Sequence, residues 1–440
     1  MRFAVRHRPA LGILLLTLGV GTSLLRAQPD GSGRSPEQHA DTGRNSARMQ
    51  SEPYVVLLAL DGFRASHLER GDAAHLTALG KQGAWAPQGM FPSYPALGIA
   101  NRYTIVTGLY PGHHGLVADN FYDPERKARF SDEEPKDLAA NSWYRGTPLW
   151  SLAESQGMRT AVFGWPGAEA EIAGFRPTYL IRAGAGDEAK QILEQTLKWL
   201  RLPAEKRPHF LAIDFPEPAS AARRFGPEAK ETKAAEQRAD DLAGRLKAEL
   251  DKTSLPVDLI VVSDRGLART EGAWITLEQF TSLSGFVTDG PLLYGTDEQQ
   301  RERVYRQLNH VSSLFFVYRR KDMPPEMHMN TNSRAGDPVV MATGPYAIRA
   351  RGPAPGQHDA PPPAGVDGLD PQEPEMRAIF LATGPDVVSG KSLGPFENVN
   401  LYPWIAHMLG LKPPKSDGSL NVLAGTLRDD GTERAGEPAN

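Results

Sequence analysis

Long apolar runs alternate with amphipathic stretches through most of the chain. Tyr54-Val-Val-Leu-Leu-Ala-Leu60 is apolar at every position rather than every second one, the pattern of a central strand covered on both faces. Three similar runs follow, at His209–Phe215, Val257–Ser263 and Arg377–Ala382. Helical spacing lies between them. Thr147 to Gly157 ends on a glycine stop signal. Asp187 to Leu202 places Ile192, Leu193, Leu197 and Leu200 on one stripe. Ala229 to Asp251 reads as a long charged helix with Leu242, Leu246 and Leu250 inward. This alternation predicts an α/β fold, a doubly wound, mostly parallel sheet with helices on both faces. About residues 265–345 the rhythm changes to short β-like pieces, Trp274-Ile-Thr-Leu, Leu314-Phe-Phe-Val-Tyr and Pro338-Val-Val-Met, between charged turns. They predict a smaller inserted α+β subdomain. Residues 352–375 are dense in Pro and Gly and read as a long loop.

The ends of the chain read differently. Arg2, Arg6, His7 and Arg8 form a positive region before the apolar run Leu11–Leu25, and Ala27 offers a small residue for cleavage. Residues 1–27 are expected to be an export signal, with an uncleaved N-terminal anchor as the alternative, because a span needs ~20 apolar residues. Residues 28–52 and 425–440 are polar and small, and are expected to be a disordered linker and tail around a domain over 53–424.

Composition narrows the function classes. The chain has 440 residues, a formal net charge of -4 and no cysteine. No basic excess points to a nucleic-acid polymer, and after signal removal no membrane span is expected. Thiolate metal sites and disulfides are excluded; export without disulfides fits a periplasmic or secreted protein with a large core.

In a doubly wound sheet, ligands bind outside the carboxyl ends of the strands. Two apolar strands here run straight into acids, Leu60 into Asp61 and Ser263 into Asp264. A buried carboxylate needs a partner: a metal, a salt bridge or the start of a helix.

At these residues the chain resembles a known family. Asp61-Gly-Phe-Arg64, Phe91-Pro-Ser-Tyr-Pro95, Asn101-Arg-Tyr-Thr-Ile-Val-Thr-Gly-Leu-Tyr-Pro111 and His114-Gly-Leu-Val-Ala-Asp-Asn120 occur in order. Phe163-Gly-Trp-Pro-Gly167, Arg176-Pro-Thr-Tyr179, Ser263-Asp264, Pro374-Glu-Met376, Phe396-Glu-Asn-Val-Asn-Leu-Tyr-Pro403, Leu409-Gly-Leu-Lys-Pro413 and Asp417-Gly418 follow. Together they resemble the type I phosphodiesterase/nucleotide pyrophosphatase family of the alkaline phosphatase superfamily, over about residues 53–424. The resemblance implies an alkaline-phosphatase-like fold. It also implies a hydrolase in which a Thr alkoxide attacks phosphorus between two zinc ions held by Asp and His, forming a phospho-enzyme intermediate.

Carried over residue by residue, the resemblance implies a damaged site. The first metal Asp corresponds to Asp61 and another to Asp264, both present. Asn120 stands at the position that contacts a phosphoryl oxygen. The nucleophile position is Gly98, which has no side-chain oxygen. The remaining metal-ligand positions are Ala219, Arg223, Arg265 and Asp367, none of them an imidazole. Ser93, Thr104 and Thr107 are the hydroxyls near Gly98, and His358 could replace a lost ligand if its loop were realigned. His113 and His114 read as structural turn residues. Because nucleophile and metals act as one unit, this set is not expected to run the family's reaction, nor to hold its two zinc ions.

Three readings stay open. The chain reads first as a pseudoenzyme in which Asn120, Arg223 and Arg265 bind a phosphorylated or sulfated small molecule. It reads alternatively as an active or weakly active metal-dependent phosphodiesterase with a rewired site, with Asp61, Asp264 and Asp367 as the remaining oxygen ligands. The third reading is a scaffold or interaction protein whose arginines close the pocket with salt bridges.

Overall fold

A computed structural model describes residues 43–182 and 187–428. The signal segment expected over 1–27 lies outside the described residues, as do 28–42 of the linker and 429–440 of the tail. No helix among the described residues is long and apolar enough to cross a membrane.

An eight-stranded sheet forms the centre. We number its strands β1 (Tyr54–Leu60), β2 (Ala84–Trp85), β3 (Thr160–Phe163), β4 (Tyr179–Ile181), β5 (Phe210–Phe215), β6 (Val257–Val262), β7 (Phe380–Thr383) and β8 (Lys391–Ser392). Their order across the sheet is β8-β2-β7-β6-β1-β5-β3-β4. Only β7 runs against the rest; it pairs antiparallel with both β6 and β2. The uninterrupted apolar run of β1 has a physical reason in this order. Every residue of β1 is buried. Val55, Leu57 and Ala59 enter one core with Ile99, Trp150 and Trp404. Tyr54, Val56, Leu58 and Leu60 enter a second core on the other face, with Ile192, Leu242 and Leu246. A strand sandwiched by helices has no solvent face on which to alternate.

The helices start and stop on identifiable chemistry. Helix Glu188–Leu200 is opened by Asp187, whose side chain accepts from the Lys190 amide at 3.1 Å. Helix Gly98–Thr107 ends on Gly108, with φ +65°, whose amide donates to Thr104 O. Residues 275–350 carry short two-stranded sheets, one helix (Glu298–Leu308) and a core of their own around Leu277, Leu293, Val304 and Phe315.

The disorder expected over 28–52 and 425–440 does not describe their inner parts. Asn45 is buried; its amide donates to the carbonyls of Ala204 and Arg207, and its oxygen accepts from the Arg159 amide at 2.7 Å. Met49 joins the first core. At the other end Leu427 bridges Val387, and the Arg428 amide donates to Asp386 O. A few well-placed residues anchor segments whose average composition is polar.

Candidate functional site

Parallel strands bring their carboxyl ends to one edge, and the register sets which acids meet there. Ala59 of β1 lies beside Asp214 of β5 and beside Val262 of β6. Asp61, Asp214 and Asp264 are therefore neighbours, and all three are buried. The turn after β1 is tight. Gly62 has φ +71°, and a Cβ there would lie 2.7 Å from Ala219 Cβ and 2.8 Å from Leu267 Cδ1. Ala219, one of the expected ligand positions, thus sits in a small apolar cluster with Ala222 and Leu267. Its amide donates to Asp61 O at 2.9 Å.

Arg265 occupies the middle of this edge and is fully buried. Its Nη1 donates to Asp61 Oδ1 and, at 2.7 Å, to Asp264 Oδ2. Nε and Nη2 donate to Asp367 Oδ2 at 2.9 and 2.8 Å. The chain of opposite charges continues on both sides. Arg102 Nη1 bridges Asp61 Oδ2 at 2.8 Å and Asp214 Oδ2 at 2.9 Å. Arg223 Nη2 bridges Asp367 Oδ2 at 2.7 Å and Asp119 Oδ2 at 3.1 Å. Asp214, Arg102, Asp61 with Asp264, Arg265, Asp367, Arg223 and Asp119 thus form one continuous network. Five carboxyl groups meet three guanidinium groups.

Burial and neighbouring charge divide the carboxyls. Burial opposes ionisation of Asp61, but Arg102 and Arg265 hold it well below the usual range. Asp367 is likewise lowered against its burial by Arg223 and Arg265. Burial, reinforced by the charge of Asp61, pushes Asp264 up to about 7 despite Arg265. Burial raises Asp214 well above the ordinary range in spite of Arg102. Beside the network, burial and Asp119 push Asp132 up to about 7.

The residues ahead of the helix Gly98–Thr107 are held by side-chain hydrogen bonds. Asn101 Nδ2 donates to the carbonyls of Ser93, Pro95 and Leu97, and its Oδ1 accepts from the Ser93 amide and from Asn398 Nδ2. Ser93 Oγ donates to Asn398 Oδ1 at 2.8 Å. This brings Phe91–Pro95 and Phe396–Pro403 together for a structural reason. Ser93 is therefore a loop anchor, not an alternative nucleophile. Thr104 Oγ1 pairs with His114 Nε2 at 3.0 Å, and Thr107 Oγ1 donates to Tyr103 O. Burial pushes His114 down to about 3, so it stays neutral inside the fold. His113 Nδ1 pairs with Asp417 at 2.7 Å.

Among the expected anion-binding residues, the structure separates three cases. Arg265 is turned inward and its charge is matched by carboxylates, so it does not face a ligand. Arg223 keeps 40% of its side chain exposed but is committed to Asp119 and Asp367. Asn120 is exposed and lines a cavity of 360 Å³ beside the network. His358 is exposed in the Pro-rich loop. Three residues of the network escaped the sequence reading, Asp214, Arg102 and Asp119. A lone acid inside the apolar strand Phe210–Phe215 was the available signal, since it needs a buried cation.

Two zinc ions do not fit this donor set. No imidazole is present at the expected positions, and the Arg265 guanidinium takes the point between Asp61 and Asp264 where a cation would sit. The potential metal ligands that do cluster among the described residues are His75, Asp240 and Asp241, on two other helices. There Asp240 already accepts from the amides of His75 and Leu76.

Comparison with known proteins places the geometry in context. Residues 55–361 match the family described as type I phosphodiesterase/nucleotide pyrophosphatase. The chain is 33% identical to an uncharacterised pyrophosphatase/phosphodiesterase of Schizosaccharomyces pombe, over 83% of this chain and 78% of that protein. It is 30% identical to human ectonucleotide pyrophosphatase/phosphodiesterase family member 1, over 86% of this chain but only 42% of the human protein. A venom phosphodiesterase of Macrovipera lebetinus is also 30% identical, with 85% and 45% covered. The chain therefore spans less than half the length of the human and viper proteins. In fold it is similar to murine ectonucleotide pyrophosphatase/phosphodiesterase 5, solved as an inactive variant in complex with AMP. The TM-score is 0.79 at 24% identity, covering 86% of this chain and all of that one.

Proposed function

This chain belongs to the type I phosphodiesterase/nucleotide pyrophosphatase family of the alkaline phosphatase superfamily, and from that premise we propose that it is a non-hydrolysing member. Its reaction centre has become an internal salt-bridge network, and its cleft remains as a ligand-binding cavity. One observation carries the reading: Arg265 joins Asp61, Asp264 and Asp367 while its guanidinium lies within 3.2–3.3 Å of where a Cβ on Gly98 would be. A nucleophile and a cation would both have to enter volume that this side chain fills. The exchange is chemically consistent, because a fully hydrogen-bonded guanidinium offsets carboxylates that burial alone would leave uncompensated.

The reading places the protein outside the cytoplasm. Support comes from the charged and apolar residues at its N-terminus. The test is turnover of bis(4-nitrophenyl) phosphate by the purified chain with and without added zinc. The expected result is no release of nitrophenol above the protein-free rate in either condition. Zinc-dependent turnover that is abolished in Asp61→Ala would overturn it and restore the rewired-hydrolase reading.

A further inference from the structure

A second cavity lies at the amino-terminal edge of the sheet, away from the salt-bridge network. Helix Glu188–Leu200 and helix Lys230–Leu250 both end there, and Tyr54 opens β1 beside it. Asp61 follows the other end of β1, on the order of 20 Å away at the ~3.3 Å rise of a strand residue. The cavity has a volume of 350 Å³, within the ~300–1,000 Å³ range of small-molecule sites. Leu197, Leu200 and Leu255 give it an apolar surface. Its charged residues are Arg201, Arg207, Lys252 and Glu249.

Positive charge here exceeds what the described residues match. Lys252 pairs with Glu249 at 2.6 Å. Arg207 holds neutral acceptors: Nε donates to Leu202 O and Nη1 to Tyr54 Oη, each at 3.0 Å, and its guanidinium stands 5.6 Å from the Tyr54 ring centre. Its loop is pinned as well, since Arg207 O accepts from Asn45 Nδ2 and Lys206 O from Tyr179 Oη. The Arg207 charge is thus fixed in place without a carboxylate. Arg201 is exposed, and its side chain makes no hydrogen bond or ion pair among the described residues. Nor does it cap a helix end. Leu197 O and Trp199 O accept from the amides of Arg201 and Leu202, and Lys247 O, Glu249 O and Leu250 O from those of Asp251, Lys252 and Thr253. An anion entering the cavity would gain two guanidinium partners already in place, and a cation would be repelled by both.

We propose that this cavity binds a small organic anion, a short apolar chain ending in a carboxylate. The carboxylate meets Arg201 and Arg207, and the chain lies against Leu197, Leu200 and Leu255. The site stands at the opposite edge of the sheet from Asp61 and is independent of what the cleft there does.

Three probes with one six-carbon chain test it on the full chain by calorimetric titration: hexanoate, hexanol and hexylamine. Hexanoate is expected to bind about tenfold more tightly than hexanol, the scale of one charge-assisted contact, and hexylamine to bind most weakly. Arg201→Gln should bring hexanoate down toward hexanol and leave hexanol unchanged, because the Arg201 side chain holds no contact of the fold. Ser254 is exposed on the rim, so Ser254→Trp should obstruct the cavity and weaken both hexanoate and hexanol. If that variant does not fold, Arg201→Gln decides alone. The proposal is overturned if hexanoate and hexanol bind equally, if hexylamine binds most tightly, or if no probe binds. Hexanoate binding that neither variant weakens would place the anion elsewhere and overturn it too.

Discussion

The guanidinium of Arg265 closes tightly on the position that a Cβ on Gly98 would take. A Cβ built on Gly98 would fall 3.2 Å from Arg265 Cζ and Nη2 and 3.3 Å from Nη1. Positions 98 and 265 are thus sterically coupled. A hydroxyl-bearing residue at 98 would press its Cβ on the Arg265 guanidinium, which would have to give by a few tenths of an ångström.

Restoring the family's residue at the nucleophile position should therefore harm the fold without creating an enzyme. In Gly98→Thr the new Cβ is tighter against Arg265 than ordinary contacts allow, and the γ atoms need further room. Overpacking of this kind costs about 1–3 kcal/mol. Urea denaturation of wild type and variant should show that loss, with no phosphodiester turnover in either.

Truncating the arginine should cost more. Arg265→Ala leaves Asp61, Asp264 and Asp367 buried and short of a cation. Breaking a buried pair from one side typically costs about 3–5 kcal/mol. Arg265→Lys keeps the charge but loses the planar fork that reaches three carboxylates at once, so it should fall between wild type and Ala. Chemical denaturation gives the order; a lysine variant as stable as wild type would show that shape is irrelevant here.

The pH dependence has a defined sign for Asp264. Its carboxyl rises from an ordinary 3.8 to about 7 in the fold. Between those values the folded state holds a proton that the unfolded chain has released. The contribution of this group is fully present below 3.8 and is lost as pH rises to about 7, by at most ~1.4 kcal/mol per pH unit. Asp264→Asn has no such proton. The stability of wild type relative to this variant should decline from about pH 4 to about pH 7 and stay flat above it. Asp61 and Asp367 are lowered, so their contributions are lost only on acidification below 3.8 and do not disturb that window.

Much of this arrangement was legible in the residues. The doubly covered strand Tyr54–Leu60 follows from its unbroken apolar run, and the meeting of Asp61 with Asp264 follows from parallel strands that both end on an acid. Gly98 follows from alignment to a motif. The direction of Arg265 did not, because a sequence does not say whether an arginine turns toward a cleft or toward carboxylates. Asp214 was hidden for a related reason: an acid within an apolar strand reads as an interruption until register brings Arg102 to it. The cavity was invisible because its walls come from residues as far apart as Tyr94 and Leu369. Average composition does not reveal how the polar segments near residues 45 and 426 are held, because single residues such as Asn45 and Thr426 dock them.

The most direct measurement is a crystal structure of the full chain soaked in zinc, with anomalous data collected at the zinc edge. The expected map has the Arg265 guanidinium between Asp61 and Asp264, beside Gly98, with no zinc peak at that point. A zinc peak bound by Asp61 and Asp264, with Arg265 swung out of the pocket, would contradict it.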